Sequence, residues 1–236
     1  MKMGDVRELM ARFGPTTVKL DTGSGGVPAL TTQDIAAALA FVPAGLGREL
    51  LEALWWPDSA SRRRDHLRQA VIGLVAPEFN RQQHALSIAR TELGIAKASM
   101  GWCGSSVTDM QRRECARAQA KLDATRALCW PTNTMEQLGV LAGAVIAEMR
   151  GAGCCKACNG LRVQAAPECA GVVECEACGG RGFEQLSGRS RAASIGADQS
   201  AYRRFWQPVY EWMIAHMRAA EEHAAVAWRG ALTRAA

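Results

Sequence analysis

One short pattern occurs twice in this chain, as CKACNG at residues 155–160 and as CEACGGRG at residues 175–182. Two residues between paired cysteines let both thiolates approach one ion from a single tight turn. Sixteen residues separate Cys158 from Cys175, a length within the range expected between the two halves of a zinc ribbon. The glycine two positions after each pair permits positive φ, so nearby backbone N–H groups can turn back toward sulfur.

The two pairs supply four sulfurs and predict one structural Zn²⁺ ion, held by Cys155, Cys158, Cys175 and Cys178. A four-sulfur shell is closed, and no histidine lies within residues 151–183 to offer an open catalytic position. Redox dithiols are the competing interpretation, but a thioredoxin-type site needs one pair beside a βαβ unit, a pattern the sequence lacks.

Other cysteines keep the ligand set open. Cys154 could replace Cys155, but three residues would then separate the first pair and its likeness to the second would be lost. Cys169 lies within the joining loop and is interpreted as a spectator. Cys115 and Cys129 fit the apolar face of a helical pattern, where free cysteine behaves as a small buried residue.

The segment around the pattern lacks the means to fold by burial alone. Residues 151–183 hold six of the nine cysteines and seven glycines, and no apolar helical period survives there. Metal binding contributes roughly 10–16 kcal/mol in small zinc peptides, which is enough to order such a segment.

Composition sets broad limits on function. The 236 residues include 28 Lys+Arg and 23 Asp+Glu, a mildly basic balance that is compatible with a polyanionic partner without requiring one. No stretch approaches the roughly 20 apolar residues of a membrane span, and no secretory signal follows the N-terminus. Nine cysteines without an export signal favour the reducing cytoplasm over a disulfide framework. No catalytic motif emerges, so we do not expect an enzyme.

The remaining sequence is typical of helices. Helical patterns cover about 32–41, 45–55 and 59–76, and Pro77 is placed to open the next helix at its first turn. That helix carries apolar residues at seven-residue intervals, a packing stripe formed by Phe79, Leu86, Leu93 and Met100.

Two capping-box patterns begin the helices that follow, Thr108 with Gln111 and Thr134 with Gln137. Three long helices with short connections predict an antiparallel bundle. The chain is therefore expected to be mainly α, with four regions: a flexible N-terminal segment (1–30), a helical domain (31–150), a zinc-binding segment (151–186) and a helix-turn-helix-like region with a C-terminal helix (187–236).

The C-terminal region contains the helix-turn-helix candidate. A short helix over 187–194 is followed by a turn at 195–197 and by a longer helix that Asp198 caps. One face of that longer helix is expected to pack: Tyr202, Phe205, Trp206, Val209, Trp212, Met213 and His216. The opposite face is polar and basic: Gln199, Ser200, Arg203, Arg204 and Gln207. Recognition helices carry base-contacting groups in their first turns, although on geometry alone an ordinary solvated face is the favoured interpretation. Pro208 is expected to kink or restart this helix.

The paired cysteine pattern, ending in Gly182-Phe183, resembles the zinc segment of the lambda-type bacteriophage late-gene antitermination protein Q family. The likeness continues into the Ser/Arg-rich helix and into QPVY at 207–210, and it is best over about 135–215. Residues 77–130 have no counterpart in this resemblance and are interpreted as an insertion.

This resemblance implies a phage transcription antitermination factor that acts in the cytoplasm of a bacterial host cell. Such proteins bind double-stranded DNA within a late promoter and travel with RNA polymerase past terminators. Their polymerase contacts are the β-subunit flap and the primary σ factor. By the same resemblance the four zinc ligands are architectural. The DNA-facing candidates are Arg189, Arg191, Gln199, Ser200, Arg203, Arg204 and Gln207.

Two other functions fit parts of the sequence. One is a zinc-containing DNA-binding regulator without a role in elongation. The other is a chaperone module like the zinc region of DnaJ-type proteins, which normally has four such repeats beside a His-Pro-Asp triplet, whereas this chain has two repeats and no such triplet.

Overall fold

The computed structural model describes residues 37–56, 64–102, 107–151, 155–158, 163–165, 172–180, 182–184 and 186–235. This part of the chain is mainly helical, as the sequence predicts. It divides into two compact units, formed by the described residues of Met1–Val71 with Gly139–Ala236 and of Ile72–Leu138. The expected flexible segment over 1–30 lies outside the described residues.

The helices before the cysteine pairs are α1 (Leu46–Trp55), α2 (Arg64–Trp102), α3 (Asp109–Leu128) and α4 (Thr134–Gly151). Two short strands follow, β1 (Val163–Ala165) and β2 (Val172–Glu174), and then α5 (Gly188–Ser194). The last helix, α6, begins as Gln199–Ala201, passes through a π-helical segment at Tyr202–Trp206, and continues as Gln207–Ala235.

In the first unit, α1 packs against the C-terminal part of α6. Their shared core contains Leu51 on α1 and Trp228 and Leu232 on α6, all fully buried. The two backbones approach most closely at Gly47, where a Cβ atom would overlap the carbonyl oxygen of Ala220. A residue without a side chain is therefore needed at this crossing.

In the second unit, α2 and α3 form an antiparallel pair. Gln82 on α2 accepts a hydrogen bond from the backbone N–H of Trp130 just beyond α3 (2.8 Å), whereas Lys121 pairs with Glu92. Contacts that advance along α2 as they retreat along α3 define an antiparallel arrangement of these two helices. A common core joins the two helices: Leu86, Ala89, Leu93 and Leu122, with Cys115, Ala118 and Cys129 packed against it.

The structure corrects two local predictions about helix starts. Pro77 does not open a helix but lies inside the continuous helix α2. Because proline has no N–H, Pro77 leaves the carbonyl oxygen of Gly73 without its helical hydrogen bond. Both residues are exposed, so water can donate a hydrogen bond to this oxygen. Thr134 does not form a capping box either, because its hydroxyl donates to the Pro131 carbonyl oxygen (2.6 Å).

Other predicted helix ends are confirmed. Thr108 and Gln111 form the reciprocal capping box at the start of α3. Ser187 caps α5, and Asp198 caps α6 by accepting from the N–H groups of Ser200 and Ala201. None of the described helices combines the length and the apolar character needed to cross a membrane.

Candidate metal centre and adjacent basic surface

The two cysteine pairs come together as one buried cluster. The sulfur atoms of Cys155, Cys158, Cys175 and Cys178 all lie within 4.8 Å of one another, and each residue is at most 4% exposed. Sγ of Cys155 lies 4.0 Å from Sγ of Cys175, and Sγ of Cys158 lies 3.8 Å from Sγ of Cys178. These separations are too long for disulfide bonds.

The spacing of the sulfurs fits a tetrahedral metal ion. Zinc–sulfur bonds of about 2.3 Å at tetrahedral angles place neighbouring sulfurs about 3.8 Å apart. The two measured distances agree with that value, and burial excludes competing water. The four sulfurs are therefore able to hold a metal ion, and a closed set of thiolates is the donor set that structural zinc prefers.

Glycines shape the second turn as the sequence predicts. Gly180 has φ of 66° and Gly182 has φ of 79°, in the left-handed region that glycine adopts without strain. At Gly180 a Cβ atom would also overlap the side chain of Glu174. The N–H of Gly182 donates to Sγ of Cys178 (3.2 Å), the backbone-to-sulfur bond expected around a metal-binding thiolate. Gly160, the matching glycine of the first turn, lies outside the described residues.

A two-stranded hairpin joins the two turns. Strands β1 and β2 are antiparallel, with Val163 opposite Glu174 and Ala165 opposite Val172. Beyond the hairpin, the N–H of Cys155 donates to the carbonyl oxygen of Gly182 (2.9 Å). This bond ties the start of the first turn to the end of the second turn.

The thiols of Cys175 and Cys178 differ in acidity. Burial raises the pKa of Cys175 to about 11. Burial acts in the same direction on Cys178, but the hydrogen bonds from the Gly182 N–H and from the neighbouring thiols outweigh it and lower the pKa of Cys178 to about 7. Cys178 is therefore partly thiolate near neutral pH, the form that binds metal.

The structure places Cys155 with the other three sulfurs, as favoured from its spacing. The alternative ligand Cys154 and the presumed spectator Cys169 lie outside the described residues. Cys115 packs against the α2–α3 core from within α3, as predicted, whereas Cys129 packs against the same core from the C-cap just beyond that helix.

Arg191 requires a correction, because the structure does not leave it free to face DNA. It is 5% exposed, and its guanidinium donates to both carboxylate oxygens of Glu148 on α4, at 2.8 and 2.6 Å. The hydroxyl of Tyr210 on α6 donates to the same carboxylate (3.0 Å), and the guanidinium lies 5.1 Å from the Tyr210 ring centroid. Burial lowers the pKa of Arg191, but the hydrogen bonds and the charge of Glu148 outweigh burial and raise this pKa above its usual value.

The Glu148–Arg191–Tyr210 network is the part of the site that sequence reasoning missed. Its members lie on three helices, before and after the cysteine pairs, and all are buried. Glu148 did carry a signal, because it is an acid within the apolar face of α4 beside buried Val145 and Met149. An acid in such a position requires a partner.

The cysteine-rich segment contacts α6 directly. The guanidinium of Arg218 lies 5.1 Å from the ring centroid of Phe183, which directly follows the second turn. A cleft of about 440 Å³ opens beside this contact, and Trp55 at its edge donates its indole N–H to Glu221 (3.1 Å). Phe183 and Arg218 therefore anchor the end of the ribbon to α6.

A tight turn separates α5 from α6. Gly196 has φ of 69°, its N–H donates to Ala193, and the N–H of Ala197 donates to Ala192. These two bonds form a Schellman motif, which ends α5 sharply and redirects the chain into α6.

The remaining DNA-facing candidates lie on or beside this turn. Arg189, Arg203 and Arg204 are exposed, and so are Gln199 and Ser200. The Ser200 hydroxyl donates to Asp198 (2.6 Å). Gln207 is half-buried, and its amide donates to Glu211 (2.8 Å). The three exposed arginines are therefore the candidates with the most accessible positive charge.

Comparison with known proteins adds no relative: no family model, no curated protein and no solved structure matches this chain.

Proposed function

We propose that this protein is a zinc-containing, DNA-binding transcription antitermination factor that acts on RNA polymerase. One observation carries the proposal: a four-cysteine cluster leads directly into a short helix that exposes Arg189, a tight turn, and a second helix that exposes Arg203 and Arg204. Guanidinium groups at the start of such a helix suit contacts to phosphates and to guanine bases. The sequence resemblance to the protein Q family supplies the link to elongation.

The arrangement of buried and exposed arginines supports the DNA-binding part of the proposal. Arg191 is held inside by Glu148, whereas its near neighbour Arg189 is exposed. Arg203 and Arg204 are exposed at the start of α6, while Tyr202 beside them is buried. The buried residues fix the two helices to the rest of the unit, so the exposed guanidinium groups are presented on a rigid support.

In this proposal the metal ion has an architectural role. It stabilises the ribbon, and the contacts of Cys155 with Gly182 and of Phe183 with Arg218 transmit that order to α6. A ribbon without metal would lack the burial needed to stay folded. DNA binding is therefore expected to depend on the metal, although no cysteine needs to touch DNA.

Transcription in vitro tests the elongation role. The template carries the DNA upstream of the genes that the protein serves, followed by a terminator, and the enzyme is bacterial RNA polymerase with its primary σ factor. We expect read-through of the terminator to rise while the number of initiated transcripts stays unchanged. A Cys178→Ser variant should give no read-through, and Arg113→Ala, at an exposed arginine of α3, should match the wild type.

A different outcome would select the alternative function. Changed initiation with termination unaffected would indicate a zinc-containing DNA-binding regulator without an elongation role. No effect on either quantity, together with no duplex binding at low salt, would reject both.

A further inference from the structure

Phe205 lies in the π-helical segment at the start of α6, at the edge of the packing face of that helix. In a regular α-helix, residues four apart are separated by only about 40° around the axis, so Phe205 would share the buried face of Val209. Val209 is fully buried, yet Phe205 is 48% exposed. The N–H of Gln207 bonds to the carbonyl oxygen of Tyr202, five residues back. The other buried residues of this face, Tyr210, Met213 and Met217, lie on the side of Val209 away from Phe205, so Phe205 is left at the edge of the face.

Pro208 provides a physical reason for the wider turn. It lacks an N–H, and in a regular helix its ring collides with the carbonyl four residues earlier. A wider turn directly before the proline relieves that contact, and such π-helical turns are frequent at functional sites. The helix therefore continues through Pro208, and an aromatic ring is presented at its surface.

The exposed ring lies within the basic surface. Phe205 directly follows the exposed Arg203 and Arg204, and the guanidinium of Arg204 lies 5.1 Å from the Phe205 ring centroid. An exposed phenyl ring beside a cation is poorly suited to water, but it suits a duplex groove that offers phosphates at its edges and an apolar group at its floor. In the major groove that apolar group is the C5-methyl group of thymine.

We propose that Phe205 is a specificity-determining residue that packs against a thymine methyl group in the major groove. The proposal rests on the DNA-binding function proposed above. Arg204, whose guanidinium lies beside the ring, contacts a phosphate or a guanine edge, and Phe205 reads thymine without a hydrogen bond. The geometry assigns this role to the helix start, where recognition helices make their base contacts.

Thymine-to-uracil replacement tests this assignment, because uracil pairs like thymine but lacks the methyl group. A high-affinity duplex is first selected by the wild-type protein from a randomised pool, and each of its thymines is then replaced in turn. We expect at least one replacement to weaken wild-type binding about four-fold, the loss that one buried methyl-sized group predicts. The same replacement should change the affinity of Phe205→Ala less than two-fold.

The matched control is Phe41→Ala, which removes a phenyl ring that is 74% exposed outside the basic surface. This variant should keep the full sensitivity of the wild type to uracil. If no thymine shows methyl dependence, or if Phe205→Ala keeps it, the assignment of Phe205 is wrong while DNA binding stands. If the wild-type protein selects no duplex, the proposed function fails and this inference fails with it.

Permanganate oxidation separates methyl packing from insertion of the ring between bases. Packing in the major groove leaves the thymines stacked and unreactive. A thymine that becomes reactive when the wild-type protein binds, but not when Phe205→Ala binds, would show that the ring inserts between bases. That result would overturn the assignment of Phe205 to methyl packing.

Discussion

Arg191 donates two hydrogen bonds to Glu148 across 43 residues of chain, and so fastens the helix after the metal segment to the helix before it. The hydroxyl of Tyr210 donates to the same carboxylate, which brings a third helix into the network. The ribbon is therefore an insertion between two elements that are bonded directly to each other. Its metal ion orders the insertion, while the buried pair holds its ends.

Removing one member of this pair should destabilise the protein strongly. Because the other charge would stay buried and unpaired, Arg191→Met and Glu148→Leu should each lower the free energy of unfolding by about 3–5 kcal/mol. Urea unfolding of the zinc-loaded protein measures this change. The double variant buries no charge, so its loss should be smaller than the sum of the two single losses.

The matched control for Arg191 lies two residues earlier. Arg189 is exposed, so Arg189→Met should change the free energy of unfolding by less than about 0.5 kcal/mol. If Arg191→Met proves as mild as Arg189→Met, the buried pair does not hold the unit together.

Metal binding should require all four cysteines of the cluster and no other cysteine outside it. We expect about one zinc ion per chain by elemental analysis after gel filtration. Cys155→Ser and Cys178→Ser should lose most of this zinc, whereas Cys115→Ser on α3 should retain it. Full zinc content in Cys155→Ser would mean that the first pair uses Cys154 as its ligand, the alternative left open by the sequence.

Gly47 offers a test of the close crossing between α1 and α6. A methyl group there would overlap the backbone carbonyl of Ala220, which cannot rotate away, so Gly47→Ala should destabilise the protein by about 1–3 kcal/mol. Gly143→Ala is the control, because a Cβ atom at this exposed helical position meets no atom within 4 Å. It should raise stability by up to about 1 kcal/mol. Thermal unfolding of both variants decides whether packing or helix propensity dominates at Gly47.

Local signals in the sequence were sufficient for much of this structure. The spacing of Cys155 and Cys158 and of Cys175 and Cys178 predicts the sulfur cluster, because each pair needs only its own tight turn. The caps at Thr108 and Asp198 are equally local.

What the sequence did not reveal depends on long-range packing or on a backbone adjustment. Arg191 reads as a surface arginine until Glu148, 43 residues away, is found beside it. Phe205 reads as a core residue, but it lies at the edge of the packing face of α6 and is left half-exposed. The wider turn before Pro208, where the sequence predicts a kink or a restart, is a backbone adjustment that a uniform helical repeat does not show.

The exposed arginines at the start of α6 should dominate the salt dependence of DNA binding. The logarithm of the DNA-binding constant falls linearly with the logarithm of the salt concentration. Each lost phosphate contact makes this line less steep by about 1, because one fewer counterion is released. Arg203→Ala and Arg204→Ala should each make the line less steep by this amount. If the side chain contacts a base instead, the free-energy penalty for a wrong base at one position of the duplex should fall by about 1–3 kcal/mol.

The control variant is Arg113→Ala, which removes the same charge from α3 and should leave the slope unchanged. Fluorescence anisotropy with a labelled duplex at several salt concentrations measures the slopes. Equal slopes for all three variants would mean that net charge, and not this helix face, governs the attraction to DNA.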